Sequence, residues 1–509
     1  MYWADALVEN LKGKQLISTG ISPSGPIHVG NMREILTGDI IYKASLDRKL
    51  ESRFVYLCDD LDPLRKVYPF LDNSYSQYVG MPLSYIPAPE GNGKYSDYFL
   101  KPFLETLKKI NVNVEVISTT ELYRDGKLAE AINIAMDNRE EIAKIMHDVA
   151  GSDLGQDWYP YEPRCSKCGK INSSTVTRYE NPYAYYKCSA CGNEDKADIR
   201  KDDGKMPWRV EWPAKWFALG VTVEPFGKDH AAAGGSYDTG KEIADKVFKI
   251  TPPVPLMYER ILLKGVGVMH SSTGVAITAS EVTTFAPPEI LRFLIAKNDP
   301  GRHIDFDPGM GLLNLIDDYE KMERAYFGID ESNNENFKRI YEMSRIKVLD
   351  APEKINFRHI VTLVQIYGNG KSLLPALKRS GYEKDEIDDY LKNEIVIAKY
   401  WLSKYAPDNI KFTLTDKQFL LTDDQKAILE EFLDKIDGVE WTSDGIHSTI
   451  YSIIGERNLT PKDVFTLFYT VFIDKERGPR LGYFLSSMES QYFRRRKCCY
   501  LRCCYCNTC

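Results

Sequence analysis

The chain has 509 residues, 43% of them hydrophobic and 27% charged, with a formal net charge of −7. That length exceeds a single core, the composition excludes a disordered or fibrous chain, and the charge means that any nucleic acid must meet a local basic face. Met1 to Glu9 lacks a basic segment followed by an apolar one, and no run approaches a membrane span, so a cytoplasmic protein with no membrane partner is expected. Of 11 cysteines, four lie in Cys-x-x-Cys pairs, six crowd the last dozen residues and Cys58 stands alone, which is not a spaced disulfide framework.

Residues 1–150 alternate strand-like runs (15–19, 53–57, 112–118) with helical patterns (32–46, 98–110, 128–149), the rhythm of a parallel sheet with crossover helices. Residues 151–208 break that rhythm with a polar, tyrosine-rich insertion. The α/β alternation resumes over 209–300, with 221–224 and 260–263 strand-like and 239–248 helical. A connecting region, 301–345, leads to residues 346–509, where helical patterns at 355–367, 386–405, 423–436 and 461–471 predict a separate all-α domain. The cysteine-rich tail has neither helical nor strand period and is expected to be an atypical terminus.

Within the first half, the apolar run Leu16–Thr19 meets Pro23, Gly25 and Pro26, which forbid a continuing helix, and a helical pattern opens at His28. His28, Gly30 and Asn31 therefore fall on a first turn, where unpaired N–H groups and the positive end of the dipole favour a phosphate. Gly227, Asp229 and His230 follow the 221–224 strand and face the cleft beyond the carboxyl ends of an open sheet. In the insertion, Cys165, Cys168, Cys188 and Cys191 form two knuckles 19 residues apart, a set suited to a closed, structural zinc site.

The stretch from Pro23 to Asn31 resembles the His-Ile-Gly-His signature of class I aminoacyl-tRNA synthetases, with Asn31 in place of the last histidine. Asp59–Lys66 and Glu224–His230 point within that class to the archaeal type of lysyl enzyme. The resemblance implies a class I Rossmann-like parallel sheet split by a zinc-ribbon insertion and followed by an all-α anticodon-binding domain. It implies an activity that joins L-lysine to ATP as lysyl-adenylate and then transfers it to tRNA(Lys), with Mg²⁺ and structural Zn²⁺ as cofactors and a monomeric state. His28, Asn31, His270, Ser271 and Ser272 are implied as catalytic. Pro23, Gly30, Gly227, Asp229, His230 and Met269 join them around ATP, Asp229 holding the ribose. Gly20, Ser22, Trp208, His230 and Tyr258 surround the lysine, and the arginine–aromatic segment with Arg477 and Arg480 meets tRNA.

Val268 and Thr273 occupy two positions where the resembling loop carries lysine. Lys264, Lys228, His270 and Mg²⁺ are the candidates to replace that charge, and a noncatalytic tRNA-binding paralogue stays a rival. A glutamyl or arginyl synthetase on the same scaffold is another. A zinc-ribbon nucleic-acid module with unrelated chemistry leaves His28 and Asp229 unexplained.

Overall fold

A computed structural model describes residues 1–269, 276–331, 334–352, 355–368, 370 and 373–493. The alternating segments of the first half build one parallel sheet of five strands, β1 (Gln15–Ile21), β2 (Ser52–Cys58), β3 (Glu115–Ser118), β4 (Val223–Gly227) and β5 (Val254–Tyr258). Their spatial order is β5-β4-β1-β2-β3. β1 is central, running in register with β2 from Gln15 opposite Ser52 to Ile21 opposite Cys58, and meeting β4 where Ile17 opposes Val223. Six of its seven residues are buried, which is why it reads as an apolar run and not as an alternation. The sheet grows to one side of β1 first and to the other side with β4, so the carboxyl ends of β1 and β4 flank a switch point.

The 128–149 pattern is two helices, Ala129–Asp137 and Arg139–Ala150. Asn138 separates them, its side-chain amide donating to the Ile134 carbonyl at 2.8 Å. β5 escapes the sequence pattern because it is an edge strand with Val254 and Met257 exposed. Residues 260–263 also differ from expectation. Ile261–Leu263 lies outside the main sheet, antiparallel to Gly267–Val268 and parallel to Ile304–Phe306.

The insertion carries its own antiparallel sheet, Ser174–Glu180, Tyr183–Cys188 and Glu194–Asp198. A short bridge between Glu162–Pro163 and Gly204–Lys205 closes its neck. The helix Trp208–Leu219 then returns the chain to the parallel sheet.

The chain forms two compact units, one of residues 1–283, 288–306 and 333–348, the other of 284–287, 307–332 and 349–509. The expected connecting region is thus divided between them. Among its described residues the second unit has helices and no strand, with Met310–Tyr326, Phe357–Tyr367, Leu373–Arg379, Asp389–Lys404, Asp423–Ile436, Ser443–Glu456, Pro461–Ile473 and Leu481–Ser487. Local chemistry starts these helices: Thr422 and Gln425 cap each other reciprocally, and Thr460 caps a helix whose first residue is Pro461. Phe432, Phe468, Phe472 and Phe484 fill the core shared by the last four of these helices. Among the described residues no helix is long and apolar enough to cross a membrane.

Candidate active site

The carboxyl ends of β1, β4 and β5 and the loop after β2 enclose a cleft of about 460 Å³. Gly20, Ser22, His28, Gly30, Asn31, Trp208, Gly227, Asp229, His230, Tyr258 and Met269 all line it, so residues separated by some two hundred positions meet as the sequence predicts. Pro23 is buried and is not part of the lining. His270, Ser271 and Ser272 fall outside the described residues. Their flanks are fixed beside the His28 turn: Val29 N donates to Ile277 O at 2.9 Å and Ala279 N to Ile27 O at 3.0 Å.

His28 caps a single 3-10 turn, Val29–Asn31, that feeds the helix Met32–Asp47. Asn31 Oδ1 accepts from His28 N at 3.2 Å, which holds the turn without the histidine expected at that position. The imidazole packs against Gly30, where an added Cβ would stand 2.8 Å from two ring atoms. Glycine there is a requirement of close approach: any side chain would displace the ring from the helix start.

One turn later, Glu34 is 9% exposed and faces the cleft. Tyr258 Oη donates to it, as does Gly20 N at 3.2 Å. Burial pushes its carboxyl up to about 8. Glu224, on β4, accepts from Trp212 Nε1 at 3.0 Å and from Trp216 Nε1 and is pushed up by burial to about 7. Trp212 and Trp216 sit four residues apart on the helix Trp208–Leu219, the spacing of a core stripe. They are buried as a stripe should be, yet both hold Glu224, and Trp212 also lines the cleft. Trp208 and Trp212 stack at 5.3 Å and both lie against His230, whose pKa burial lowers.

Asp229 is paired with Arg260, another lining residue that the motifs do not reveal. Lys228, a candidate replacement cation, instead binds Glu259 at 2.6 Å and is not part of the lining. The acidic cluster after β2 is largely structural. Asp60 accepts from Thr120 N at 2.8 Å and Ser118 Oγ at 2.6 Å. Asp59 binds Lys215 at 2.5 Å and Asp62 binds Lys205 at 2.5 Å, with Glu211 between the two lysines at 3.1 and 3.2 Å. Of these carboxylates only Asp62 reaches the cleft.

The sulfur atoms of Cys165, Cys168, Cys188 and Cys191 lie within 4.8 Å of one another, with Cys165–Cys191 at 3.6 Å and Cys168–Cys188 at 3.7 Å. Those spacings are far too long for disulfides of about 2.05 Å and match a tetrahedron of zinc–sulfur bonds of about 2.3 Å. Gly169 and Gly192 adopt φ of 74° and 72°, and each donates back to the first cysteine of its knuckle, at 2.8 and 2.9 Å. That turn aims following amides at the sulfurs. The donor set therefore fits a structural zinc ion.

In the helical unit Arg480 lines a cavity of about 220 Å³ with Lys321, Arg324, Arg358 and Tyr483 and with the carboxylates Asp317, Asp318 and Glu320, of which Asp317 pairs with Arg358 at 2.5 Å. Arg477 is exposed and does not line it.

A parallel sheet whose switch point joins a helix-start imidazole to an aspartate after the fourth strand defines a nucleotide-binding α/β protein. The family described as tRNA synthetases class I (K) matches residues 1–347. The lysine–tRNA ligase of Picrophilus torridus is 63% identical over 496 residues, 97% of this chain and 98% of that protein. That of Thermoplasma acidophilum is 56% identical with the same coverage, and lysine–tRNA ligase 1 of Methanosarcina acetivorans is 42% identical over 97% of each chain. This chain belongs to the class I tRNA synthetases of the lysine type.

Proposed function

We infer that the protein is a lysine–tRNA ligase that activates L-lysine with ATP to lysyl-adenylate and transfers the lysyl group to tRNA(Lys). The observation that carries the substrate is Glu34, a carboxylate buried at the floor of the cleft with only neutral donors around it. A ligand ammonium supplies the missing countercharge, and the Tyr258 hydroxyl fixes the carboxylate's orientation. A glutamate substrate would instead bring its carboxylate against Glu34 and Glu224. Gly20 and Ser22 then meet the reacting end, with Trp208 and His230 as walls that exclude water.

The lysine carboxylate is itself the nucleophile, so the protein's work is positioning and charge stabilisation. His28 and Asn31 hold the phosphates over the helix start, Gly30 admits them, Asp229 holds the ribose, and Gly227 and Met269 bound the nucleotide. His270, Ser271 and Ser272 offer further donors to phosphate oxygens. Mg²⁺ carried with ATP supplies additional neutralisation, and zinc in the cysteine cluster holds the insertion's knuckles together. Arg480 and Tyr483 present a guanidinium and an aromatic face to unpaired RNA bases, with Arg477 nearby in sequence for phosphate.

The test is lysine-dependent exchange between ATP and pyrophosphate, run against each of the twenty amino acids. Exchange with lysine is expected. His28→Ala should slow it about 10²-fold or more with the fold intact, as for loss of one preorganised donor. Val268 and Thr273 motivate a noncatalytic reading, which lysine binding without any exchange would favour. Exchange with glutamate or arginine in place of lysine would overturn the assignment of Glu34.

A further inference from the structure

The cleft is poor in positive charge for a site that must hold a triphosphate. Among its described lining residues Glu34, Asp62, Glu224 and Asp229 are acidic, and the only guanidinium or ammonium groups are those of Arg65 and Arg260. Val268 and Met269, which reach the nucleotide side, are apolar. Attack of the lysine carboxylate oxygen on the α-phosphorus forms one P–O bond. It breaks the bond to the β-phosphate bridging oxygen, and the electron pair departs with pyrophosphate. No proton moves, so the barrier falls only where positive charge is preorganised at the leaving oxygens.

Resting on the reading of this cleft as an adenylate-forming site, we propose that Arg260 is a catalytic residue that binds the departing pyrophosphate. It opens the strand Ile261–Leu263, which pairs with Gly267–Val268. Met269, just beyond that hairpin, approaches Gly30 closely enough that a Cβ there would lie 3.7 Å from its methyl group. Arg260 is thereby held on a strand that packs against the His28 turn, and both line one cleft. One of its terminal nitrogens engages Asp229, with both side chains partly exposed to the cleft. A planar fork with several donors can keep that contact and still present N–H groups to phosphate oxygens, which a lysine ammonium does less well. Arg65 follows β2, on the other side of β1 from Asp229, and is less well placed.

The experiment compares Arg260→Gln, Arg260→Lys and Asp229→Asn with the wild-type chain in lysine-dependent exchange and in pyrophosphorolysis of isolated lysyl-adenylate. Arg260→Gln should lower kcat about 10²–10³-fold, raise the KM for pyrophosphate and leave lysine binding unchanged. Arg260→Lys should fall between it and the wild type, and serves if the glutamine variant folds poorly. In the Asp229→Asn background, adding Arg260→Gln should cost a further tenfold or more. Wild-type kcat in Arg260→Gln, or equal rates for D229N and D229N/R260Q, would overturn the proposal, the second by showing that Arg260 acts only through Asp229. A wild-type chain that gives no exchange with lysine would sink the underlying reading instead.

Discussion

Asp59 and Glu211 are buried and Asp62 half-buried, and all three are matched by two ammonium groups, Lys215 and Lys205, at 2.5 to 3.2 Å. Glu34 and Glu224, buried as deeply in the same unit, receive only hydroxyl, amide and indole donors. In the first group the attraction of fixed partners holds Glu211 and Asp62 below the ordinary carboxylate range and raises both lysines above theirs, although burial still lifts Asp59. In the second the desolvation is left standing, and the carboxyls drift up to about 8 and about 7. Charges that the fold completes belong to structure. A charge left incomplete at the wall of a cleft belongs to the ligand.

The comparison breaks most visibly at Lys215. Lys215→Met leaves Asp59 and Glu211 short of a partner in a buried site, and the cost expected for removing one member of such a pair is about 3–5 kcal/mol. The urea midpoint should fall accordingly. Glu34→Gln in the same titration should lose little stability, because burial already keeps Glu34 mostly protonated in the empty protein and the amide replaces one neutral acceptor by another. A robust Lys215→Met beside a destabilised Glu34→Gln would reverse the assignment of the two groups.

Glu34→Gln should instead be felt by the substrate. Loss of a hydrogen bond to a charged group predicts that lysine binding weakens by about 1.5–3 kcal/mol, read by calorimetry, with ATP binding little changed. Equal lysine affinity in the variant would remove Glu34 from the pocket.

Much of the cleft was legible because its signals are local. An apolar run, a proline–glycine turn and a helix period are enough to place His28, Gly30 and Asn31. The cysteine knuckles carry their spacing with them. Glu34 was not legible, since it is one acidic residue inside an amphipathic helix and gains meaning only from Tyr258, 224 residues later. Arg260 was missed for a similar reason: Lys228 sits in the motif and draws the eye, but its ammonium turns to Glu259. β5 has no local signal, because an exposed edge strand lacks the apolar run that marks β1. The 301–345 segment reads as one connector, yet its members pack with two different units, and long-range contact of this kind leaves no periodicity.

The smallest effect is in pH, and its sign sharpens the comparison. With its carboxyl raised to about 8 by burial, Glu34 is mostly protonated in the empty protein at neutral pH. A bound ammonium favours the carboxylate, so binding lysine releases a proton. Lysine affinity should therefore rise with pH, approaching tenfold per unit below about 8, or 1.4 kcal/mol, and then level off. Stability of the empty protein should move the other way. Its raised carboxyl holds a proton that the unfolded chain, at the ordinary 4.5, releases, so Glu34's contribution is complete below that value and is lost as pH rises through about 8. Calorimetry in buffers of different ionisation enthalpy reads the proton release directly. Glu34→Gln should abolish it and flatten the affinity profile, whereas an unchanged slope in that variant would assign the titration to another group and leave Glu34 with no part in choosing lysine.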